Sequence, residues 1–187
     1  MIRVFDFLLA LIGLIILIPL ILLIFLILFF ENKSPLFFQE RIGKNLEIFT
    51  LIKFRTMTNG TKDCPTHLVD PSRITFFGSF LRKTKMDEIP QLWNVLRGEM
   101  TIVGPRPCLP SQIELINYRK KFKVHTFLPG ITGLAQIKGI DMSNPLLLTK
   151  TELKMMQKLN LKYYFYFIFK TIIGKGSGDR VKKKNFY

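Results

Sequence analysis

Two adjacent carboxylates, Asp87 and Glu88, lie in the stretch KMDEIPQLWN of a chain whose formal net charge is +15. Adjacent side chains on a helix point about 100° apart, so this pair cannot serve one atom as a spaced acid and base. It suits two different tasks: one carboxylate could attack an electrophile or ligate a hard cation, while the other contacts a neighbouring base or a second substrate. The commoner role of such a pair is to cap a helix.

Cationic side chains in constrained settings accompany the acidic pair. Lys53 and Arg55 lie at the end of a predicted strand in KFRTM, Arg82 shortly precedes the carboxylates, and Arg106 lies between two prolines in GPRP. An arginine on so stiff a loop loses little entropy on binding, and its planar guanidinium matches two phosphate oxygens. An anionic nucleophile, fixed arginines and Mg²⁺ together suit phosphoryl transfer, although GPRP could also serve only as a turn.

The elements that must position these residues follow from hydrophobic spacing. Apolar residues at 89, 92, 93 and 96 predict an amphipathic helix over residues 89–98, with Pro90 tolerated in its first turn and the acidic pair at its start. LEIFTLIKFRTM has the composition of a strand, paired in a short hairpin around Gly43 and Asn45. MTIVGPRPCLPSQ and LPGITGLAQIKG are rich in glycine or proline and predict loops.

Other helices are predicted for ITFFGSFLRKTK, with its aromatic face inward, for IELINYRKKF and for the chain after Pro145. Residues 161–173 are too short and too interrupted by lysine to span a bilayer, and they predict an amphipathic helix at the membrane interface. Residues 58–73 are polar and rich in turn formers, so they predict a surface loop.

Residues 7–30 carry no charged or hydrogen-bonding side chain. A helix of that length reaches about 36 Å, enough to cross a bilayer. Pro19 lies near the middle and should kink the helix, which could either span or return to the same face as a re-entrant hairpin. The residues alone favour spanning, because membrane helices tolerate proline.

The entire net positive charge lies after the apolar segment, because Arg3 and Asp6 cancel. The positive-inside tendency therefore places residues 31–187 in the cytoplasm. We expect a membrane segment, residues 1–30, and a catalytic domain, residues 31–187, that ends in a basic tail. Charge of this size implies an anionic partner: a phosphate-bearing substrate, anionic lipid or nucleic acid.

The ordered run FGSFLRKTKMDEIPQLWNVLRGEMTIVGPRP, preceded by QERIG and KFRTM and followed by PGITGLAQIKG, resembles the bacterial sugar transferases, the monotopic polyprenyl-phosphate phosphoglycosyl transferases. The resemblance extends from the apolar segment to about Gly139. It implies a Mg²⁺-dependent reaction in two steps. A carboxylate attacks the β-phosphate of a UDP-sugar and releases UMP, and polyprenyl phosphate then accepts the phosphosugar.

The resemblance also implies individual roles. Asp87 would be the nucleophile and the candidate metal ligand, and Glu88 would assist the metal or the acceptor. Arg106 would bind phosphate, and the weaker candidates for the same basic site are Lys53, Arg55 and Arg82. Because similar enzymes use a proline-broken helix, Pro19 shifts the expected geometry from spanning to re-entrant.

Two departures limit the resemblance. Ile18 precedes Pro19 where relatives often carry a small polar residue. Ile140 and Asp141 follow AQIKG where relatives commonly continue with Arg-Asn, and Glu152 leads into Lys-Met-Met instead of paired tyrosines. No site residue is therefore assigned beyond Gly139.

We expect a mainly helical α+β fold with a re-entrant membrane helix, a short β-hairpin and amphipathic interface helices. The expected partners are a UDP-sugar, polyprenyl phosphate and membrane lipids, without nucleic acid and with downstream glycosyltransferases as further candidates. The expected location is the cytoplasmic face of a bacterial inner membrane. Two rivals remain open: a membrane-anchored basic module that binds anionic lipid or nucleic acid without catalysis, and a hydrolase that uses water as acceptor.

Overall fold

A computed structural model of the chain describes residues 1–60 and 70–174. The elements in chain order are α1 (Ile2–Asn32), β1 (Leu36–Ile42), β2 (Ile48–Phe54), α2 (Phe76–Thr84), α3 (Gln91–Leu96), β3 (Thr101–Val103), α4 (Ile113–Lys121), β4 (Gly130–Thr132), α5 (Leu134–Ile137), α6 (Pro145–Lys158) and α7 (Leu161–Ile172). The predicted α+β, mainly helical class is confirmed. The middle of the predicted surface loop, residues 61–69, and the predicted basic tail from residue 175 lie outside the described residues.

Helix α1 is long and apolar enough to cross a membrane, and no other helix in the described residues is. Most of its apolar side chains are exposed, because only a narrow stripe that includes Ala10, Ile24 and Leu28 is buried against the rest of the protein. The helix continues without interruption through Pro19, so any bend at that residue lies within one helix.

Both ends of α1 contact the globular part of the protein. Near its start, the buried Asp6 carboxylate accepts hydrogen bonds from Thr101 Oγ1 at 2.7 Å and from Ile102 N at 2.9 Å. Near its end, Glu31 Oε2 accepts a hydrogen bond from Thr75 Oγ1 at 3.2 Å. These two anchor points are about 38 Å apart along a straight helix. The globular part therefore follows α1 over nearly its whole length.

Strands β1 and β2 form the predicted antiparallel hairpin, with Leu36 opposite Phe54 and Ile42 opposite Ile48. A 3-10 turn, Lys44–Leu46, connects them, and Asn45 adopts a positive φ of 54° there. Asparagine tolerates this left-handed conformation better than most residues, which explains its place in the turn.

Asn94 docks α3 against the hairpin. Its carboxamide accepts a hydrogen bond from Ile52 N at 3.1 Å and donates one to Thr50 O at 2.8 Å, so it pairs with the outer edge of β2 as a neighbouring strand would. The completely buried Asn94 thereby fixes the position of the segment that carries the acidic pair relative to β2.

Strands β3 and β4 pair in parallel, with Thr101 opposite Gly130 and Val103 opposite Thr132. The prediction that both segments are loops is wrong here, because three-residue strands show too few periods to be recognised. A Cβ at Gly130 would lie 2.0 Å from Gly104 N, so this close approach of two backbones requires glycine. The pairing brings the proline-rich chain after β3 beside β4.

The predicted inward packing of the aromatic face of α2 is only partial, because Phe77 contacts an apolar cluster while its aromatic neighbours are exposed. Phe76 is 95% exposed and Phe80 48% exposed, whereas Gly78 and Leu81 are buried. The reason is a close helix contact: a Cβ at Gly78 would lie 2.2 Å from Thr56 O, so the small face of the helix meets the chain after β2. In α7 the predicted amphipathic pattern is present, because Tyr164 and Phe167 are buried beside exposed aromatic neighbours.

Candidate active site

The acidic pair lies in a 3-10 turn, Met86–Glu88, between α2 and α3. Lys85 ends α2 in the left-handed conformation with φ of 60°, and this residue redirects the chain. The sequence predicts the pair at the start of a helix over residues 89–98, but α3 begins only at Gln91 with Pro90 as its N-cap, so the pair lies before the helix. The Asp87 residue is 3% exposed, so this carboxylate is held inside the protein.

Glu88 joins two of the predicted phosphate-binding cations. Its Oε1 lies 3.8 Å from Lys53 Nζ and 4.0 Å from Arg106 Nη2. All three side chains are largely shielded from solvent, with 11% exposure for Glu88, 9% for Lys53 and 21% for Arg106. The structure thus brings together residues from β2, from the turn before α3 and from the loop after β3, as the sequence predicts.

These side chains line a small cavity. Its lining residues come from the hairpin, the turn before α3, the GPRP loop and β4: Arg41, Leu51, Lys53, Glu88, Gln91, Arg106, Pro107, Gly130 and Ile131. The enclosed space is far smaller than the roughly 300–1,000 Å³ of pockets that hold a whole small molecule. A complete nucleotide sugar therefore does not fit inside it.

Arg41 is a site residue that the sequence analysis did not identify. On the buried face of β1, its guanidinium donates hydrogen bonds to Gln39 Oε1 at 3.0 Å and to Pro107 O at 3.1 Å. A strand with arginine pointing inward departs from the usual alternation of apolar and polar residues, so periodicity could not reveal it. The available signal was the motif QERIG, which contains both Gln39 and Arg41.

Arg82 and Arg55, the two weaker phosphate candidates, make other contacts. Arg82 Nε donates a hydrogen bond to Thr56 Oγ1 at 2.7 Å. Arg55 Nε donates to Ser34 O at 3.0 Å, and its guanidinium lies 5.4 Å from the centre of the Phe37 ring. These contacts tie Arg55 to the chain that enters β1. Phosphate binding by either residue stays a prediction.

A second missed feature is a buried ion pair beyond Gly139, the point at which residue assignment stopped. Arg119 on α4 and Glu152 on α6 are bonded through two hydrogen bonds, Nε to Oε2 at 3.0 Å and Nη2 to Oε1 at 2.6 Å. Their side chains are 7% and 1% exposed. Burial raises the pKa of the Glu152 carboxyl, and the adjacent Arg119 guanidinium opposes that rise. Charged residues are usually exposed, so sequence alone gives no sign of this pair.

The residues present fit a magnesium ion only together with a substrate. Residues 1–60 and 70–174 contain no group of three or more histidine, cysteine or acidic side chains able to hold a metal. Mg²⁺ in phosphoryl-transfer sites is commonly bound by one or two carboxylates plus substrate phosphates, and the adjacent Asp87 and Glu88 can supply that smaller set. Metal binding by Asp87 stays a prediction.

The chain is similar to known proteins along most of its length. The family model described as bacterial sugar transferase matches residues 1–175. The exopolysaccharide production protein ExoY of Sinorhizobium fredii is 37% identical over 188 residues, which cover 91% of this chain and 83% of ExoY.

Two longer relatives match over part of their length. The galactosyl transferase CpsE of Streptococcus agalactiae is 40% identical over 73% of this chain and 33% of its own. The UDP-glucose:undecaprenyl-phosphate glucose-1-phosphate transferase of Xanthomonas campestris is 41% identical over 67% of this chain and 26% of its own. The present chain thus spans only about a quarter to a third of these two proteins. By its match to the family model along nearly the whole chain, the protein belongs to the bacterial sugar transferase family.

Proposed function

We propose that the protein transfers a sugar phosphate from a UDP-sugar to polyprenyl phosphate. The observation that carries the proposal is the cavity in which Lys53 and Arg106 face Glu88, next to the buried Asp87. Such a site pairs a carboxylate nucleophile with cations that can hold phosphate oxygens. Relatives named for glucose-1-phosphate transfer onto undecaprenyl phosphate and as a UDP-galactose-lipid carrier transferase support the same chemistry.

The reaction divides into two displacements at phosphorus. The Asp87 carboxylate attacks the β-phosphorus of the UDP-sugar, the bond from that phosphorus to the bridging oxygen breaks, and UMP leaves with the bonding electrons. The phosphosugar is then bonded to Asp87 as an acyl phosphate. A phosphate oxygen of polyprenyl phosphate attacks the same phosphorus and releases the carboxylate, and the product is a polyprenyl diphosphate sugar.

Arg106 and Lys53 would hold the donor phosphates, whose negative charge would otherwise repel Asp87. Glu88 keeps these two cations together before the substrate binds, and it contacts the acceptor or supports Mg²⁺ afterwards. Mg²⁺ would be held by Asp87 with phosphate oxygens and would neutralise charge on the diphosphate. The sugar and the nucleoside would extend beyond the cavity, which is too small for them.

We place the active site at the cytoplasmic face of a bacterial inner membrane, where a soluble donor and a lipid acceptor can meet. The re-entrant geometry of α1 is supported by contacts of both helix ends with the globular part, at Asp6 and at Glu31. A helix crossing the bilayer would carry one of these ends to the opposite face, where this charged part of the protein could not follow. The product would start assembly of a surface glycan on its lipid carrier.

The re-entrant geometry predicts that both chain ends face the cytoplasm. We expect Val4→Cys, at a 60% exposed position, to resist a membrane-impermeant thiol reagent in intact spheroplasts and to react in inverted vesicles. The background carries Cys64→Ser, and Cys108 needs no replacement because it is completely buried and burial raises the pKa of its thiol. Reaction in intact spheroplasts would support a spanning helix instead.

A screen of UDP-sugars tests the proposed function. Purified protein in detergent is supplied with Mg²⁺, one UDP-sugar at a time and polyprenyl phosphate, and both UMP and lipid-linked product are measured. We expect UMP release with at least one donor and an equal amount of polyprenyl diphosphate sugar. Release of UMP with free sugar phosphate would identify a hydrolase. Salt-dependent polyanion binding with no Mg²⁺-dependent product would identify a basic binding module.

Arg106 should not tolerate replacement by lysine. We expect Arg106→Lys to lower kcat/KM for the UDP-sugar by about 10²-fold, because lysine keeps the charge but loses the planar fork that holds two phosphate oxygens. The matched control is Arg97→Lys, an arginine that is 58% exposed and pairs with Glu99 at 3.1 Å. That variant should retain wild-type kinetics, and equal losses in both variants would argue against phosphate binding by Arg106.

A further inference from the structure

Every polar backbone group of the segment Pro105–Arg106–Pro107 is held by a hydrogen bond. The carbonyl of Pro105 accepts from Gly130 N at 2.7 Å, and that of Pro107 accepts from Arg41 Nη1 at 3.1 Å. Since the two prolines have no N–H, the only amide hydrogen of the segment belongs to Arg106. The remaining groups, the N–H and the carbonyl of Arg106 itself, are bound by one buried ion pair.

That pair is Arg119 and Glu152. Glu152 Oε1 accepts from Arg106 N at 3.2 Å, and Arg119 Nη2 donates to Arg106 O at 2.7 Å. The same two atoms, Arg119 Nη2 and Glu152 Oε1, also bond to each other at 2.6 Å. The two side chains and the Arg106 peptide groups thus form a closed set of charge-assisted hydrogen bonds inside the protein.

Helix packing keeps this set in place. Arg119 lies on α4 and Glu152 on α6, and these helices share an apolar cluster that includes Leu115 and Leu148. His125 Nδ1 additionally lies 3.2 Å from Arg119 O, at the chain that follows α4. The Glu152 carboxylate and the Arg119 guanidinium therefore have little room to move. The positions of α4 and α6 thereby fix the backbone of Arg106.

The side chain of Arg106 meets Glu88 and lines the cavity, whereas its backbone is held by the ion pair. Removing a buried ion pair in favour of apolar residues often leaves stability unchanged or raised, so stability alone does not explain two buried charges here. Holding a guanidinium within a fraction of an ångström of its working position does explain them, because a shift of about 1 Å can cost 10²-fold in rate.

We propose that Arg119 and Glu152 are positioning residues that fix the Arg106 guanidinium for the donor diphosphate by clamping the Arg106 backbone. The proposal rests on the proposed function, in which Arg106 binds phosphate. Neither residue touches the substrate. The clamp acts only through Arg106, so its contribution disappears when the Arg106 side chain is absent.

A double-mutant cycle on the full-length protein in detergent tests the clamp. The probe is UDP, and its dissociation constant is measured by calorimetry for wild type, Glu152→Gln, Arg106→Ala and the double variant. We expect Glu152→Gln to weaken UDP binding by about 10- to 100-fold when Arg106 is present and by less than about two-fold in the Arg106→Ala background.

Two further variants separate positioning from folding. Tyr164→Phe removes a buried hydrogen bond to Asp6 on α1, which involves no residue of the clamp, and should lower the melting temperature without changing UDP affinity. If Glu152→Gln does not fold, because it leaves Arg119 buried without a partner charge, the paired replacement Arg119→Met with Glu152→Leu removes both charges and takes its place in the cycle.

The outcomes distinguish the clamp from the proposed function. Equal weakening of UDP binding in both Arg106 backgrounds, an equal loss of UDP affinity in Tyr164→Phe, or a wild-type protein that does not bind UDP would each overturn the clamp. If the effect of Glu152→Gln on UDP binding depends on Arg106 but no UDP-sugar yields UMP, the clamp is retained and the proposed transferase activity is rejected. Coupled binding together with turnover would support both.

Discussion

Asp87→Asn should abolish UMP release, with a loss of about 10³-fold or more in kcat. Asparagine has nearly the same size and fits the buried 3-10 turn, but its amide cannot act as the anionic nucleophile that attacks the β-phosphorus. The variant should therefore retain the melting temperature of the wild type within a few degrees. UMP release by purified protein with a productive UDP-sugar and polyprenyl phosphate measures the loss.

The acyl phosphate can be observed directly. Without polyprenyl phosphate, the wild type should release about one UMP per active site in a burst and retain radiolabelled sugar phosphate after denaturation, and Asp87→Asn should do neither. Glu88→Gln is the matched control, because it makes the same chemical change at the neighbouring carboxylate. It should be slowed by about 10- to 10²-fold and still form the labelled protein. A label on the Asp87→Asn protein would show that another residue carries the phosphosugar.

Much of this site could be predicted from sequence because its parts are local. The acidic pair before a helix, the strand that ends at Lys53 and the proline-flanked Arg106 each occupy a short, distinctive stretch. The hairpin followed from the strand-like composition of LEIFTLIKFRTM and from a turn around Gly43 and Asn45. Such patterns reflect local backbone preferences, which a sequence displays directly.

The features that were missed depend on contacts between distant residues. Strands β3 and β4 are three residues each and pair across 29 positions, from Thr101 to Gly130. Phe76 and Phe80 on α2 are exposed because Gly78 meets Thr56, a packing arrangement that hydrophobic spacing does not encode. Arg119 and Glu152 are charged residues that would normally be solvated, and only their convergence on one loop gives them a role.

The role of Asp6 was also missed because it depends on contacts with distant residues. Replacement of Asp6 should have the largest effect on the stability of the protein. The sequence analysis counted Asp6 only as a charge cancelled by Arg3. In the structure it is completely buried, and besides Thr101 and Ile102 it accepts a hydrogen bond from Tyr164 OH at 2.8 Å. One carboxylate thereby joins α1, β3 and α7.

We expect Asp6→Ala to lower the free energy of unfolding by about 3 kcal/mol, because Thr101 Oγ1, Ile102 N and Tyr164 OH lose their acceptor at once. For a chain of this size that corresponds to a fall of roughly 6–12 °C in melting temperature. Thermal unfolding in detergent measures it. Tyr164→Phe removes a single donor and should cost about 1 kcal/mol, which provides a graded comparison at the same site.

The exposed Asp70 supplies the control, since Asp70→Ala makes the same substitution where solvent replaces the lost contacts. A melting temperature for Asp6→Ala close to that of Asp70→Ala would mean that the buried carboxylate does not anchor α1.

The same substitution should also change how the start of α1 is held against the globular part. The hydrogen bonds at Asp6 hold the first turns of α1 against the globular part, so losing them should let the helix start separate while Glu31 keeps the other end attached. Hydrogen exchange should therefore rise in residues 2–10 before it rises near residue 31.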